Sequence, residues 1–536
     1  MRIFDLLKKK FSDVDESPYD GEVEKREIPK DIEKTLKVLK EILKDCDDVI
    51  YKDFRVGEEQ NIRYLLVCVD GLSDKMLIDN FVLESLMLDA RKVKPNVGDI
   101  RSHLFELTEK GTLAVTELKE EDDLNKVIVS ILSADTAIFI DGCDKAIVLG
   151  TKAWPARGPQ EPKSEGVIRG PSDGFVETLR FNTALIRRRI RDPRLKVKQE
   201  QIGLRSKTDI AVMYIEDIVN KGILQKVYDR LEGIDIDSII ESGYIEQIIE
   251  DNIFSPFPQI QSTERPDAAA GAILEGRIVI IVDNSPFVLI VPGILLSMLH
   301  SSEDYYQRWV VASFVRITRI TAAILSLLLP ALYIAITSYN PDIIPYRFAL
   351  SIAGSREGVP FPAFIEAAIM ELSLELLREA GVRLPDPIGG TIGIVGGIII
   401  GQAAVSAKVV SPIMVIIVSI TAISSFTIPN FGLNTGFRII RFLLMIFAAV
   451  LGLYGVMIGL IVVLIHLVNL KSFGVPYLAP LASMSSKDFK DSVVRYPIET
   501  FIYRPEFLRV KNKKRMKRMS LNIKYDTNDS GKEGDK

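Results

Sequence analysis

Apolar and polar positions divide the chain into two kinds of territory. From 317 to 470 the sequence is mostly apolar, broken by proline, glycine and charge. Four stretches there are long or apolar enough to consider as bilayer crossings: 317–339, 389–410, 413–428 and 439–470. A spanning helix needs roughly 20 apolar residues. The first two fit, the third is short, and the fourth is long enough to tilt or overrun the interface. Before this block, short apolar runs alternate with turns. The helical spacing of 31–46 predicts an amphipathic helix. Residues 63–70 (RYLLVCVD) predict a buried strand, 73–90 a helix capped by Ser73, 136–141 (TAIFID) a strand, and 145–149 (KAIVL) its hairpin partner.

That order returns further on. A strand at 209–215 (DIAVMYI) is followed by a helix at 220–231, then strands at 277–283 (RIVIIVD) and 287–291 (FVLIV). Asp70 and Asp141 are 71 residues apart, and Glu216 and Asp283 are 67 apart. Matched order and spacing predict a duplicated α/β unit. Hydropathy alone could make 278–291 a span, but Asp283, Asn284 and Pro286 sit at its centre. An ionised carboxylate there costs roughly 3 kcal/mol or more in lipid, so a hairpin is the better reading.

The expected organisation is a flexible N-terminus (1–30), a first α/β subdomain (31–155), a linker with a helix (156–202) and a second α/β subdomain (203–295). An interfacial helix (301–316) follows, with Tyr305, Tyr306, Trp309 and Phe314 as belt aromatics. Then come a membrane domain (317–470) and a cytoplasmic tail (471–536). The membrane domain holds about four spans, a loop at 340–360 and an acidic amphipathic helix at 361–381. The fold class is a duplicated α/β soluble region followed by an all-α polytopic membrane domain.

Charge refines this picture. The net charge is only −4, but nearly all charged residues lie before 319 and after 470. The start, MRIFDLLKKKFSD, lacks the apolar core of a signal peptide. Arginines at 187–189, 191, 316 and 319 and the basic run at 511–518 flank the apolar block. Basic flanks favour the cytoplasmic side, so both termini are expected there and the number of crossings should be even. The arginines at 187–191 read as a solvated face, with a phosphate site as the sharper alternative. Three cysteines, all in the soluble part, set no disulfide framework, and three histidines without clustered spacing point to no metal. Neither a phosphate-binding glycine loop nor a nucleophile, zinc-protease or kinase motif occurs. The reading is of a non-enzyme without cofactor.

Within the apolar block, Glu371, Glu375 and Glu379 recur every four residues on one helical face. That helix either lies at the interface or is partly inserted with its carboxylates lining a cation vestibule. Gly389, Gly393, Gly397 and Gly401 form a row that lets another helix approach closely, from the same subunit or another. Ser411, Val415 and Ser419 share a face of an uncharged segment, suited to helix packing or to a narrow pore. Glu371, Glu375, Val415 and Ser419 are the ion-path candidates. On this reading, reversing charge at Glu371 alters cation flux without abolishing assembly.

Longer ordered stretches carry a resemblance. These are 169–190 (RGPSDGFVETLRFNTALIRRRI), 256–267 (PFPQIQSTERPD), 277–292 (RIVIIVDNSPFVLIVP), 303–308 (EDYYQR) and 379–402 (EAGVRLPDPIGGTIGIVGGIIIGQ). From about 63 to 480 the chain resembles the A subunit of GerA-type spore germinant receptors. The resemblance implies a receptor in the inner membrane of dormant spores, with a transporter-like B subunit, a lipoprotein C subunit and no nucleic acid. It implies that nutrients such as amino acids are sensed chiefly by the B subunit, and that cation and then dipicolinic acid release follow. It also implies that the A subunit forms an oligomeric, pentameric ion channel. The alternative is a non-conducting scaffold that docks the B subunit. A solute carrier lacks the paired broken helices expected of one.

Overall fold

The computed structural model describes residues 25–56, 62–79, 118–152, 161–162, 165–383, 397, 399–482 and 488–516. Gly389 and Gly393, and most of the helix expected at 73–90, lie outside these.

The first α/β unit contains α1 (Ile32–Ile42), β1 (Val49–Val56), β2 (Ile62–Val69), β3 (Leu118–Glu121), α2 (Leu124–Leu132), β4 (Thr136–Ile140) and β5 (Ala146–Leu149). The second contains α3 (Leu179–Arg189), β6 (Leu195–Ile202), β7 (Thr208–Ile215), α4 (Lys221–Glu232), α5 (Ser242–Ile249), β8 (Gln261–Thr263), α6 (Pro266–Glu275), β9 (Ile278–Val282) and β10 (Val288–Val291). The sheet orders are β1-β2-β4-β5-β3 and β6-β7-β9-β10-β8. They are the same order, with every pairing antiparallel. Branched apolar residues bury β4, β5, β9 and β10 along their whole length.

The duplication reaches beyond the strands. Asp141, at the end of β4, accepts a hydrogen bond from the Ile32 amide (3.2 Å), and Asp283, at the end of β9, accepts one from the Leu179 amide (2.9 Å). In each unit a strand-terminal carboxylate therefore satisfies an orphan N–H at the start of the opening helix, where the helix dipole favours negative charge. Two boundaries change as a result. The helix expected in a linker opens the second unit, and that unit's sheet begins at Leu195 rather than at 203. Asp74 caps the turn after β2, because the Ser73 hydroxyl is spent on the Ala134 carbonyl (3.2 Å). Residues 25–30, expected to be flexible, pack instead: Ile28 joins the first core and the Arg26 carbonyl pairs with the Leu124 amide.

The arginine run is a solvated face only in part: Arg188 and Arg191 are exposed, Arg189 is half-buried and Arg187 is not on that face. Arg187 is fully buried and grips Asp48 of the first unit through two bonds of 2.7 and 2.9 Å. Its third bond goes to the Leu195 carbonyl (2.8 Å). Asp48→Ala strands this guanidinium in the joint between the units. We expect a loss of about 3–5 kcal/mol, read as a lowered midpoint in thermal unfolding. An unchanged midpoint would remove this pair from the joint.

After α7 (Leu295–Leu299) and a short turn, α8 (Trp309–Tyr339) runs 31 residues. The interfacial helix expected at 301–316 is not one element: Ser302–Tyr305 form a short 3-10 turn, and because no breaker lies between Trp309 and Pro330 its second half, 309–316, fuses with the first span. The expected loop at 340–360 contains α9 (Tyr346–Ser355). The acidic helix is α10 (Ala363–Arg383), which continues through Gly381 instead of ending there. Next come helical residues 399–406, α11 (Pro412–Phe426) and α12 (Phe431–Asn469). Among the described residues, two helices, α8 and α12, are long and apolar enough to cross a membrane.

α12 is not one rod. Gly452 has φ 58° and ψ −138°, outside helical space. Beyond it the chain doubles back. A Cβ on Gly459 would lie 2.5 Å from Leu444 Cδ2, and one on Gly455 would strike the Phe447 carbonyl. Leu444 and Gly459 would be roughly 22 Å apart in a straight helix at 1.5 Å per residue. Residues 431–451 and 453–469 are thus two antiparallel legs where the sequence reading had one long span.

Both open ends of that hairpin meet the second α/β unit. Phe257 packs edge-on against Phe437 with ring centres 6.0 Å apart, and Ser255 hydrogen-bonds His466 at 2.9 Å. The turn lies at the opposite end, against Tyr339 at the far tip of α8. The segment after 470 does not trail free. Its residues 488–516 fold back: Asp491 pairs with Arg316 (2.7 Å), and Arg495 donates to the Asp304 and Gln307 carbonyls (2.7 and 2.9 Å).

Candidate functional site

The helical bundle is organised around charge pairs that a lipid-facing reading of the sequence does not predict. Pro330 inside α8 has no N–H, so the Ser326 carbonyl one turn earlier loses its helical partner. Arg441 of α12 fills that vacancy, donating from Nε to the Ser326 oxygen at 2.6 Å. The same guanidinium pairs with Glu371 of α10 at 2.8 Å. Arg441 and Glu371 are only 3% and 4% exposed. One node therefore joins α8, α10 and α12, roughly 15 Å along α12 at 1.5 Å per residue.

A second node lies closer to the α/β units. Glu375 bridges to Arg438 of α12 and to Arg378 on its own helix (3.3 Å). Arg378 also reaches Ser425 of α11 at 3.4 Å. A third lies at the far end. Glu366, fully buried, pairs with Arg356 after α9 at 2.9 Å and accepts from the Ser411 amide at 2.8 Å. Three carboxylates on α10 are thus each met by arginine. Coulomb attraction between such ions grows as water is excluded, which offsets the cost of bringing them inside. Of the acidic row expected on one face, Glu371 is internal, Glu375 half-buried and Glu379 exposed.

The other candidates separate. Val415 is half-buried and meets Gly401, whose added Cβ would sit 3.5 Å from Val415 Cγ1. Among the described residues, no atom comes within 4 Å of a Cβ built on Gly397. Ser419 is exposed on α11 beside Ile416, Ile420 and Ile423, which are also exposed. The structure therefore does not bring Glu371, Glu375, Val415 and Ser419 together into one lined path within a single chain. Arg356, Arg378, Arg438 and Arg441 were missed as partners. The signal was available: a proline in a predicted span must leave a carbonyl open, and two arginines one turn apart in another span need acceptors.

The family model for the Bacillus/Clostridium GerA spore germination protein matches residues 37–507. The chain belongs to the GerA family. This GerA-family chain is 42% identical over 488 residues to spore germination protein KA of Bacillus subtilis (strain 168), covering 91% of this chain and 88% of that protein. It is 41% identical over 450 residues to spore germination protein GerLA of Bacillus cereus, covering 84% and 90%. A crystal structure of the N-terminal domain of the A subunit of the Bacillus megaterium spore germinant receptor GerK3 is similar at 32% identity. It covers 51% of this chain and 98% of that one, with a TM-score of 0.40. The relatives KA and GerLA are spore germination proteins, and among the described residues of this chain two helices are long and apolar enough to cross a membrane.

Proposed function

We propose that this chain is the A subunit of a nutrient germinant receptor and that several copies of it, five on the family's pattern, form a cation path across the spore inner membrane. A transporter-like B subunit and a lipoprotein C subunit would assemble with it. The supporting observation is the outer face of α11. This helix bears no charge, yet it leaves Ser419 exposed among exposed isoleucines. A hydroxyl there gains from a neighbouring subunit or from water in a shared path rather than from lipid. On this reading the start of α8 and the end of α12 lie on one side of the membrane, a reading supported by the return of the last leg of α12 to the second α/β unit. The basic flanks favour the cytoplasmic side.

A second reading is favoured by a specific observation. The carboxylates expected to attract cations, Glu371 and Glu375, are held by arginines, as they would be in a receptor scaffold that docks the B subunit and conducts nothing. Conductance separates the two. The full chain is reconstituted in liposomes, alone and with its B and C partners, with and without nutrient. A nutrient-dependent cation current that falls severalfold in Ser419→Leu, with assembly intact, is the expected result. A complete complex that never conducts would leave this chain as the scaffold.

A further inference from the structure

An unassigned cavity lies where the soluble, helical and tail parts meet. A cavity of about 580 Å³ opens between α6, the base of α8, the α11–α12 connection and the returning tail. That volume is within the range of small-molecule sites, roughly 300–1,000 Å³.

Most of the ions around it are already matched. Arg265 pairs with Asp267 (2.8 Å), Arg319 with Asp304 (2.9 Å), and Asp491 with Arg316 (2.7 Å). Two buried guanidiniums on the wall keep an Nε–H without a hydrogen-bond acceptor. Arg277 is 5% exposed, and among the described residues its one hydrogen bond is a long one to Gln261 Oε1, at 3.3 Å. Its Nε has no acceptor, and the Glu275 carboxylate stands off at 3.7 Å. Arg495 is 4% exposed and donates to backbone carbonyls of Asp304, Tyr305 and Gln307, with Nε again unmet. Among the described residues, neither cation has a carboxylate within hydrogen-bond distance. The lining also carries apolar side chains, among them Ile290, Leu296, Phe501 and Phe507.

We propose that this cavity binds a small organic anion, a carboxylate or phosphate monoester with an apolar body, whose oxygens bond Arg277. A buried guanidinium with spare donors costs free energy until an acceptor arrives. An anion supplies that acceptor and uses both the charge and the fork geometry of arginine. The apolar side chains of the lining accept the rest of the molecule. The bound anion would touch the α/β part, the first membrane helix and the tail at once, so occupancy favours the arrangement in which all three close on it. This site is independent of whether the chain conducts.

The test is calorimetric titration of the full chain in phosphatidylcholine nanodiscs with benzoate, phenyl phosphate and inorganic phosphate. Saturable binding of benzoate or phenyl phosphate is expected. Arg277→Gln should weaken it about tenfold or more, the usual loss when a charged hydrogen bond is removed. The exposed, distant Arg205→Gln should not change it. Phe501→Ala, which spares the arginine, should weaken phenyl phosphate but leave inorganic phosphate unaffected. Absence of saturable binding, or an unaltered Arg277→Gln chain, overturns the site. Inorganic phosphate binding as tightly as phenyl phosphate overturns the organic part of the assignment. Repeating the titration in phosphatidylglycerol discs separates the two sources of anion. Retained benzoate binding supports a free metabolite, and its loss makes a lipid headgroup the occupant and overturns the metabolite.

Discussion

An Arg441→Met chain will lose about 3–5 kcal/mol of stability, because the substitution abandons a buried carboxylate. Glu371 is 4% exposed and has Arg441 as its ion partner at 2.8 Å. The substitution also strips the Ser326 carbonyl of the donor that replaces the proline's missing N–H. Both losses fall at one node, so the three helices α8, α10 and α12 should separate together. Thermal unfolding of the purified chain in detergent, with its monodisperse fraction, reads the effect. Glu371→Gln should cost less, about 1–3 kcal/mol, since it removes the charge but keeps a hydrogen-bonding group. Exchanging the two residues, Glu371→Arg with Arg441→Glu, should recover part of the loss through the pair's coupling. The pairing also changes the outcome expected from sequence alone, in which charge reversal at Glu371 spares assembly. With Arg441 opposite, Glu371→Arg sets two cations against each other and assembly should fail. A stable, assembled Glu371→Arg chain with altered flux would restore the ion-path role and remove the structural one.

Gly452→Val should be nearly as damaging. Its φ of 58° with ψ of −138° is a region that residues with a Cβ avoid, at a cost of roughly 1–3 kcal/mol from the backbone alone. The added Cβ would also stand 2.8 Å from the Cβ and Cγ of Tyr339, and crowding of this kind costs about 1–3 kcal/mol more. Tyr339 cannot simply withdraw, because its hydroxyl donates to the Ala449 carbonyl at the end of the first leg. Cysteines at Leu444 and Gly459 report the geometry directly. In the parent hairpin they should crosslink, and in the Gly452→Val chain the yield should drop sharply. A Gly452→Val chain that is stable and uncrosslinked would mean that 431–469 can run as one straight helix.

Much of the soluble region was legible because its determinants are local. Continuous runs of apolar, mostly branched residues, broken by Asp-Gly or Asn-Ser turns, specify the central hairpins β4–β5 and β9–β10. Their matched order revealed the duplication. The edge strands β3 and β8 are short and polar, with sequences LKEE and QST, so periodicity had little to detect. The helix α3 passed for a linker because the contact that assigns it, Asp283 to the Leu179 amide, spans 104 residues. Arg187 looked solvated for the same reason: Asp48 lies 139 residues away in sequence.

The helical region divides in the same manner. Apolar length alone identified membrane-type helices, and a proline and paired arginines stood in plain view. Which carboxylate meets which arginine depends on how α8, α10 and α12 cross, and no spacing along one helix carries that information. One glycine among the 35 in the chain takes the φ that folds α12 into two legs, a choice made by its contact with Tyr339. The amino-acid sequence by itself determined the family, the α/β duplication and the existence of an apolar helical block, because these rest on residue type and short-range periodicity. The tertiary structure alone decided the partners of Glu371 and Glu375, the hairpin at Gly452 and the return of the tail. Each of these arises where charge, backbone vacancy and shape from distant segments must be satisfied at one point.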